Sequence, residues 1–311
     1  MEYITLQNSD LRVSRICMGG CPMGQYGWGK VQEKELINAV SAALERGINL
    51  FDTADTYGLG TSEKTLAKAL AGKRDKAVIA DKFGVRVENG HTFYDNSPEW
   101  IEKALAGSLK RLRTDCIDLY QIHYRDNVTP IGAVVESLER MKEKGYIRYY
   151  GLSNIHQDDL EELRQYKGSF VSIQNEYSLA CRKNEEDIFR LREELVVTPM
   201  TWGSLGQGIL TGKYNKDSVF GKDDRRSRDV YVNFHGKKLL KNLQIVEEIK
   251  KIGENHGKAP AAVAIRFILD HIPESVVLCG AKNPRQIIFN AEGADWRLEK
   301  DELETLRRVS D

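Results

Sequence analysis

The sequence predicts an α/β protein of the (β/α)8 TIM-barrel class, with an N-terminal β-hairpin and a long lid loop after the seventh strand. Three observations predict it. Short β-branched or aliphatic runs alternate with amphipathic helical stretches eight times along the chain. The 311 residues suit one such barrel with insertions, and no linker-like shift in composition divides them, so residues 1–311 are read as a single domain. Ionisable residues gather where the runs end, the edge at which barrels and open α/β sheets build their sites.

The elements follow in order. Residues 2–13 read as a hairpin, YITL and LRVS around the turn NSD, placed to close the barrel floor. Strands are expected at 14–18, 48–52, 77–82, 117–122, 147–151, 170–174, 195–201 and 275–280, each an apolar run of the kind buried on both faces. Helices are expected between them at 33–46, 61–72, 98–113, 131–144, 156–166 and 185–194, where apolar residues recur at helical spacing. After the seventh strand, 236–256 continues into 259–270, and 284–291 follows the eighth. Gly47, Gly72, Gly145 and Gly168 stand where left-handed helix caps are wanted. The polar stretch 207–235, with GKDDRRSRD in it, is too long for a connector and reads as a lid. Residues 298–310 form a last amphipathic helix.

Composition narrows the function. Apolar residues make up 41% and charged residues 30%, enough for a sizeable core in a globular protein. Basic and acidic residues number 46 each, so no global field recruits nucleic acid or an anionic membrane. No apolar run is long enough to span a bilayer, and MEYITLQNSD lacks the features of a signal peptide, which leads us to expect a cytoplasmic protein. The five cysteines are scattered, and Cys17 and Cys21 are spaced as C-x-x-x-C without a nearby histidine. Reduced thiols and no metal site are expected.

The strand ends carry the chemistry. INLFDTADTYG (48–58), VIADKFG (78–84) and IDLYQIH (117–123) place Asp52, Tyr57, Lys82 and His123 where strands hand over to loops. An acid, a phenol, a cation and an imidazole converging there suit proton chemistry on a carbonyl. Gly58-Leu59-Gly60 before Glu63 is a near miss to a dinucleotide fingerprint; it lacks the third glycine, and Tyr57 occupies the same turn. A better anion site is GAKNPRQ, Gly280 to Gln286, where a strand ends, Pro284 opens a helix, and Lys282 and Arg285 flank its N-terminus. With no carboxylate in that block a 2′-phosphate is welcome, which favours NADPH over NADH.

These blocks resemble the aldo-keto reductases. FDTADTYG-G-SE, DKFG, LYQIH, GLSN, QNEYSL, GSLGQGILTGKY and GAKNPRQIIFN stand in order across nearly the whole chain, most similar to the bacterial branch that also resembles potassium-channel β subunits. The resemblance implies a barrel that moves hydride between NADP(H) and a carbonyl or alcohol through an Asp52, Tyr57, Lys82, His123 tetrad. Tyr57 would be the general acid, Lys82 would lower its pKa, Asp52 would hold Lys82, and His123 would orient the substrate oxygen. It further implies that Ser153, Asn154 and Gln174 hold the nicotinamide carboxamide and that Trp202 stacks on the ring. Gly203, Leu205, Gln207, Gly208 and Lys213 would line the pyrophosphate. Lys282, Gln286 and Asn290 would meet the 2′-phosphate and adenosine. Lys282 replaces an arginine common in relatives and Phe289 an acidic residue, which leaves NAD(H) open as a second cofactor. Asp81 stands where relatives often carry threonine, and strand alternation would turn it away from the barrel interior.

The expected partner is a small carbonyl or sugar substrate, against a wall drawn from Trp28, Phe83, Tyr94, Tyr124, Tyr231 and Phe234, chiefly Trp28 and Tyr124. Arg225, Arg226 and Arg228 of the lid read as a solvated charge run rather than a clamp for an anionic substrate. Two other functions compete with the reductase. One is a slow-turnover, NADPH-holding sensor subunit, which the channel-like resemblance motivates. The other is an aldolase using Lys82 as a Schiff base.

Overall fold

A computed structural model describes residues 1–311. The chain starts with an antiparallel hairpin, β1 (Tyr3–Thr5) and β2 (Arg12–Ser14). The barrel strands are β3 (Ile16–Gly19), β4 (Leu50–Asp52), β5 (Val78–Phe83), β8 (Ile117–Ile122), β9 (Ile147–Ser153), β10 (Ser172–Glu176), β11 (Thr198–Trp202) and β12 (Val276–Gly280). All pair in parallel, and β12 returns to β3 with Val277 opposite Ile16 and Gly280 opposite Gly19, closing the barrel. The helices are α1 (Glu33–Glu45), α2 (Thr61–Ala69), α3 (Pro98–Leu112), α4 (Ile131–Glu143), the short α5 (Leu160–Leu163), α6 (Glu185–Leu195), α7 (Gly236–His256), α8 (Pro260–His271), α9 (Pro284–Ala291) and α10 (Lys300–Ser310). The (β/α)8 expectation holds, with its hairpin.

Two apolar layers follow from strand alternation. Cys17, Leu50, Ala80, Leu119, Val171, Met200 and Leu278 point inward and meet Leu6, Leu11 and Val13 of the hairpin, which plug the floor. Their neighbours, Ile79 and Phe83 of β5 among them, point outward into the larger layer beneath the helices. Lys82 shares the inward face with Ala80, so it emerges at the mouth of the barrel.

Three segments differ from expectation. Residues 156–166 do not form one helix: two 3-10 turns, Gln157–Asp159 and Arg164–Tyr166, flank the single turn of α5. An unpredicted second hairpin, β6 (Val85–Glu88) with β7 (His91–Tyr94), follows β5. Asn89-Gly90 between them, at φ 50° and 80°, is the two-residue turn that favours such hairpins. The lid between β11 and α7 is built from 3-10 turns at Gly206–Thr211, Arg225–Ser227 and Val232–Phe234.

Candidate active site

At the mouth, Lys82 is fully buried, and its Nζ donates to both carboxylate oxygens of Asp52 at 2.6 and 2.7 Å. It also donates to the Thr53 carbonyl at 3.1 Å and to the Tyr57 hydroxyl at 3.5 Å. Asp52 accepts a third bond, 2.9 Å from Gln174 Nε2. The turn that carries Tyr57 is set by close backbone contact: a Cβ on Gly24 would lie 2.7 Å from the Tyr57 carbonyl carbon, and Gly58, at φ 61°, would strike Gly24 in turn.

The His123 ring meets Tyr57 edge-on with centroids 5.8 Å apart and stacks on Tyr124 at 5.1 Å. Its Nδ1 is buried without a partner. Burial, helped by the Lys82 charge, holds the imidazole well below its usual pKa, so it is neutral. Burial first, then Asp52, raises the Tyr57 phenol well above its usual value. The sequence led us to expect Lys82 to lower it. Lys82 gives its short bonds to Asp52, and the long contact to Tyr57 does not offset burial.

A cavity of about 1180 Å³ opens over these groups, and Asp52, Tyr57 and His123 line it. Of the other residues expected at the site, Trp28, Tyr124, Tyr231, Ser153, Asn154, Gln174, Trp202, Gly203, Leu205, Gln207, Gly208, Lys213, Gly280, Lys282, Gln286 and Asn290 line it as well. Asn154 is fixed from two sides, donating to the His123 carbonyl at 2.9 Å and accepting from Trp202 Nε1 at 3.1 Å. After β11, Gly203, Gly206, Gln207 and Gly208 all take positive φ, Gly208 at 103° where only glycine is at ease. Gly206 N and Gly208 N donate to the Gly203 and Leu205 carbonyls, at 2.7 and 2.9 Å, so the turn closes on itself and its missing side chains leave room at the cavity wall. On the far wall Asn283 caps α9, accepting from Gln286 N at 3.1 Å, and Asn290 leaves Nδ2 buried without a partner.

The lid already touches the opposite rim. Arg225 N donates to the Gly27 carbonyl at 3.0 Å, Trp28 bridges Asp224, and Lys282 Nζ donates to the Trp28 carbonyl. Trp28 Nε1 donates to Cys21 Sγ at 3.2 Å, and its ring meets Tyr231 edge-on at 6.4 Å.

Some expectations need correcting. Phe83 faces the helix layer, stacked on Tyr120 at 4.7 Å, and Phe234 packs on Phe220 under the lid at 5.0 Å; neither lines the cavity. Tyr94 stacks behind Tyr124 at 5.0 Å, outside it. Arg226 is not a solvated charge. It is buried, donates to Asp224 Oδ1 at 2.8 Å, lies over the Tyr214, Phe220 and Phe234 rings, and faces the cavity. Cys21, Thr211 and Ala259 line the cavity too and had no distinguishing signal in the sequence.

Comparison with known proteins agrees with this geometry. The model of the Aldo/keto reductase family matches residues 15–311. Aldo-keto reductase YhdN of Bacillus subtilis (strain 168) is 33% identical over 312 residues, covering 99% of this chain and 93% of that protein. A Schizosaccharomyces pombe aldo-keto reductase, yakc, whose name specifies NADP(+), is 29% identical over 95% of this chain and 87% of its own length. The solved glycerol dehydrogenase of Gluconobacter oxydans superposes with a TM-score of 0.89 at 34% identity, over 99% of this chain and 94% of that one. With its barrel closed, its mouth so furnished and its length matched almost end to end, this chain belongs to the aldo-keto reductase family.

Proposed function

We propose that the protein is an NADP(H)-dependent oxidoreductase that interconverts a carbonyl (aldehyde, ketone or sugar) and its alcohol by hydride transfer, with Tyr57 as general acid and base. The observation that carries this is the chain of contacts Asp52–Lys82–Tyr57 ending in the cavity beside a neutral His123. The cofactor, when bound, supplies or accepts the hydride. The residues present fit it: the start of α9 would offer backbone N–H groups to a phosphate, and the glycine turn after β11 would leave room for the pyrophosphate beside Lys213. Burial, then Arg226 and Lys213, lower the Lys282 pKa against the opposing Asp224 carboxylate, so three cations face one carboxylate there. The NADP(+) in the name of the Schizosaccharomyces pombe relative supports the same choice.

In reduction, Tyr57 gives its proton to the developing alkoxide. The raised phenol pKa keeps that proton in place until the oxygen turns basic, and Lys82 then stabilises the tyrosinate. A positioned acid is worth roughly 10²–10⁴ in rate. Neutral His123 offers an N–H to the substrate oxygen and fixes its direction. Asp52 holds Lys82 in place. In oxidation the same tyrosinate takes the alcohol proton. Trp28, Tyr124 and Tyr231 wall the substrate end and exclude water. The glycerol dehydrogenase relative makes polyols and their carbonyls the first substrates to screen.

A titration of tryptophan fluorescence with NADPH and NADH tests the cofactor assignment. Saturable quenching with NADPH bound about tenfold or more tighter, a difference of about 1.4 kcal/mol, is the expected result. Equal affinity would displace the phosphate site from Lys282, and binding of neither would remove the enzyme reading.

A further inference from the structure

Behind the Lys82 strand lies a second set of ionisable groups that the tetrad does not use. Asp81 points outward from β5 into the layer beneath α2 and α3, where it is 0% exposed. Neither of its carboxyl oxygens makes a well-formed hydrogen bond, the Ser108 hydroxyl and Lys82 N being the donors that approach it. Glu63 of α2, also 0% exposed, stands near it and is clamped by Arg111 of α3 at 2.5 and 3.1 Å. Asp55, in the turn between Asp52 and Tyr57, adds a third carboxyl whose Oδ1 is buried and unpartnered. Tyr120, opposite Asp81 on β8, brings a hydroxyl without a partner, and Ser108 of α3 accepts from Arg111 at 3.2 Å. The other nearby cation, Lys82, is taken by Asp52 on the inner face of the sheet.

Two buried carboxyls and the half-buried Asp55 thus face one guanidinium, and they cannot all be ionised. Burial, with Glu63 and Asp55, raises Asp81 well above the usual carboxyl range, and burial with Glu63 pushes Asp55 up to about 7. The catalytic turn is tied to β5 at this place: Thr53 N donates to the Ala80 carbonyl at 2.8 Å, and Asp55 N reaches the Lys82 carbonyl only at 3.4 Å.

We propose that Asp81 is a positioning residue: as a neutral acid it lets the Asp52–Tyr57 turn rest against β5, and its ionisation repels Asp55 and moves Tyr57 out of register. The proposal rests on Tyr57 being the reacting acid. Asp81 has a folded value above its unfolded one, so the advantage of the neutral form is complete at low pH and disappears as pH rises through the folded value. Alkaline conditions therefore trip the device.

The test compares wild type with Asp81→Asn and Asp81→Thr, following carbonyl reduction, alcohol oxidation and thermal melting over the same pH range. Ionisation of Tyr57 alone gives opposed limbs, reduction falling and oxidation rising. Asp81 adds a fall common to both directions, up to about tenfold per pH unit, the slope of one proton. That shared fall disappears in both variants, and their melting temperatures decline less with rising pH. The same alkaline limb in all three proteins, or a loss in the variants that is equal at every pH, overturns the proposal. If no substrate turns over, the reading of Tyr57 fails by itself and melting decides for Asp81: parallel curves refute the switch, and curves that diverge as pH rises from about 4 towards the folded value uphold the buried neutral acid it needs.

Discussion

Both ends of the barrel hold a fully buried cation, and they are finished differently. Towards the floor, Arg266 of α8 donates to Glu2 at 2.8 Å and to the Trp296 carbonyl at 3.1 Å and pairs with Asp270 at 2.9 Å, while its Nε is buried without a partner. At the mouth, Lys82 is equally buried, but its contacts end in a phenol that lines a cavity, beside an imidazole nitrogen with no partner. A buried charge whose contacts stay within closed packing serves the fold, whereas one whose chain of contacts opens onto a cavity serves a ligand.

Substitutions break or sharpen that contrast, and the largest effect belongs to the mouth. Lys82→Met should lower turnover by roughly 10²–10⁴, and leaving Asp52 buried alone should also cost about 3–5 kcal/mol of stability. Steady-state kinetics beside urea melts would show both losses; a stable variant with wild-type turnover would detach Lys82 from the mechanism. Arg266→Met should cost less, about 1.5–3 kcal/mol, because Glu2 keeps Arg15 and Arg297 and Asp270 keeps Arg297, and it should leave turnover per folded molecule unchanged. A selective loss of turnover there would erase the distinction between the two ends. Lys282→Ala should weaken NADPH by roughly 1.5–3 kcal/mol, the range of a charged hydrogen bond, and leave NADH nearly untouched. Equal losses for both would move the phosphate site elsewhere.

The smallest effect is one of pH. His123 is held neutral, its folded pKa below the unfolded value, so the stability it contributes is present above about pH 6.5 and is lost as pH falls. Wild type should lose at most about 1.4 kcal/mol per pH unit below that point relative to His123→Asn. Identical acid limbs in melting experiments would contradict a neutral His123.

What the sequence revealed depended on how local the signal was. The barrel strands are buried on both faces, so each announces itself as an apolar run, and Asp52, Tyr57, Lys82 and His123 could be placed at their ends. The outward turn of Asp81 followed from alternation, but not its company: Glu63 and Arg111 come from helices far along the chain. Arg226 was misread for the same reason, since the rings of Tyr214, Phe220 and Phe234 that surround it meet only after folding. The β6–β7 hairpin did carry a local signal in Asn89-Gly90. Its residues are too exposed to form the apolar run that marks a buried strand, so periodicity alone does not reveal it.

Tyr57→Phe tests the central claim most directly, through single-turnover oxidation of NADPH by a saturating aldehyde, with cofactor affinity measured on the same samples. The account predicts a hydride-transfer rate lower by roughly 10²–10⁴ with NADPH binding unchanged. A wild-type rate, or a loss explained entirely by weaker cofactor binding, would contradict it.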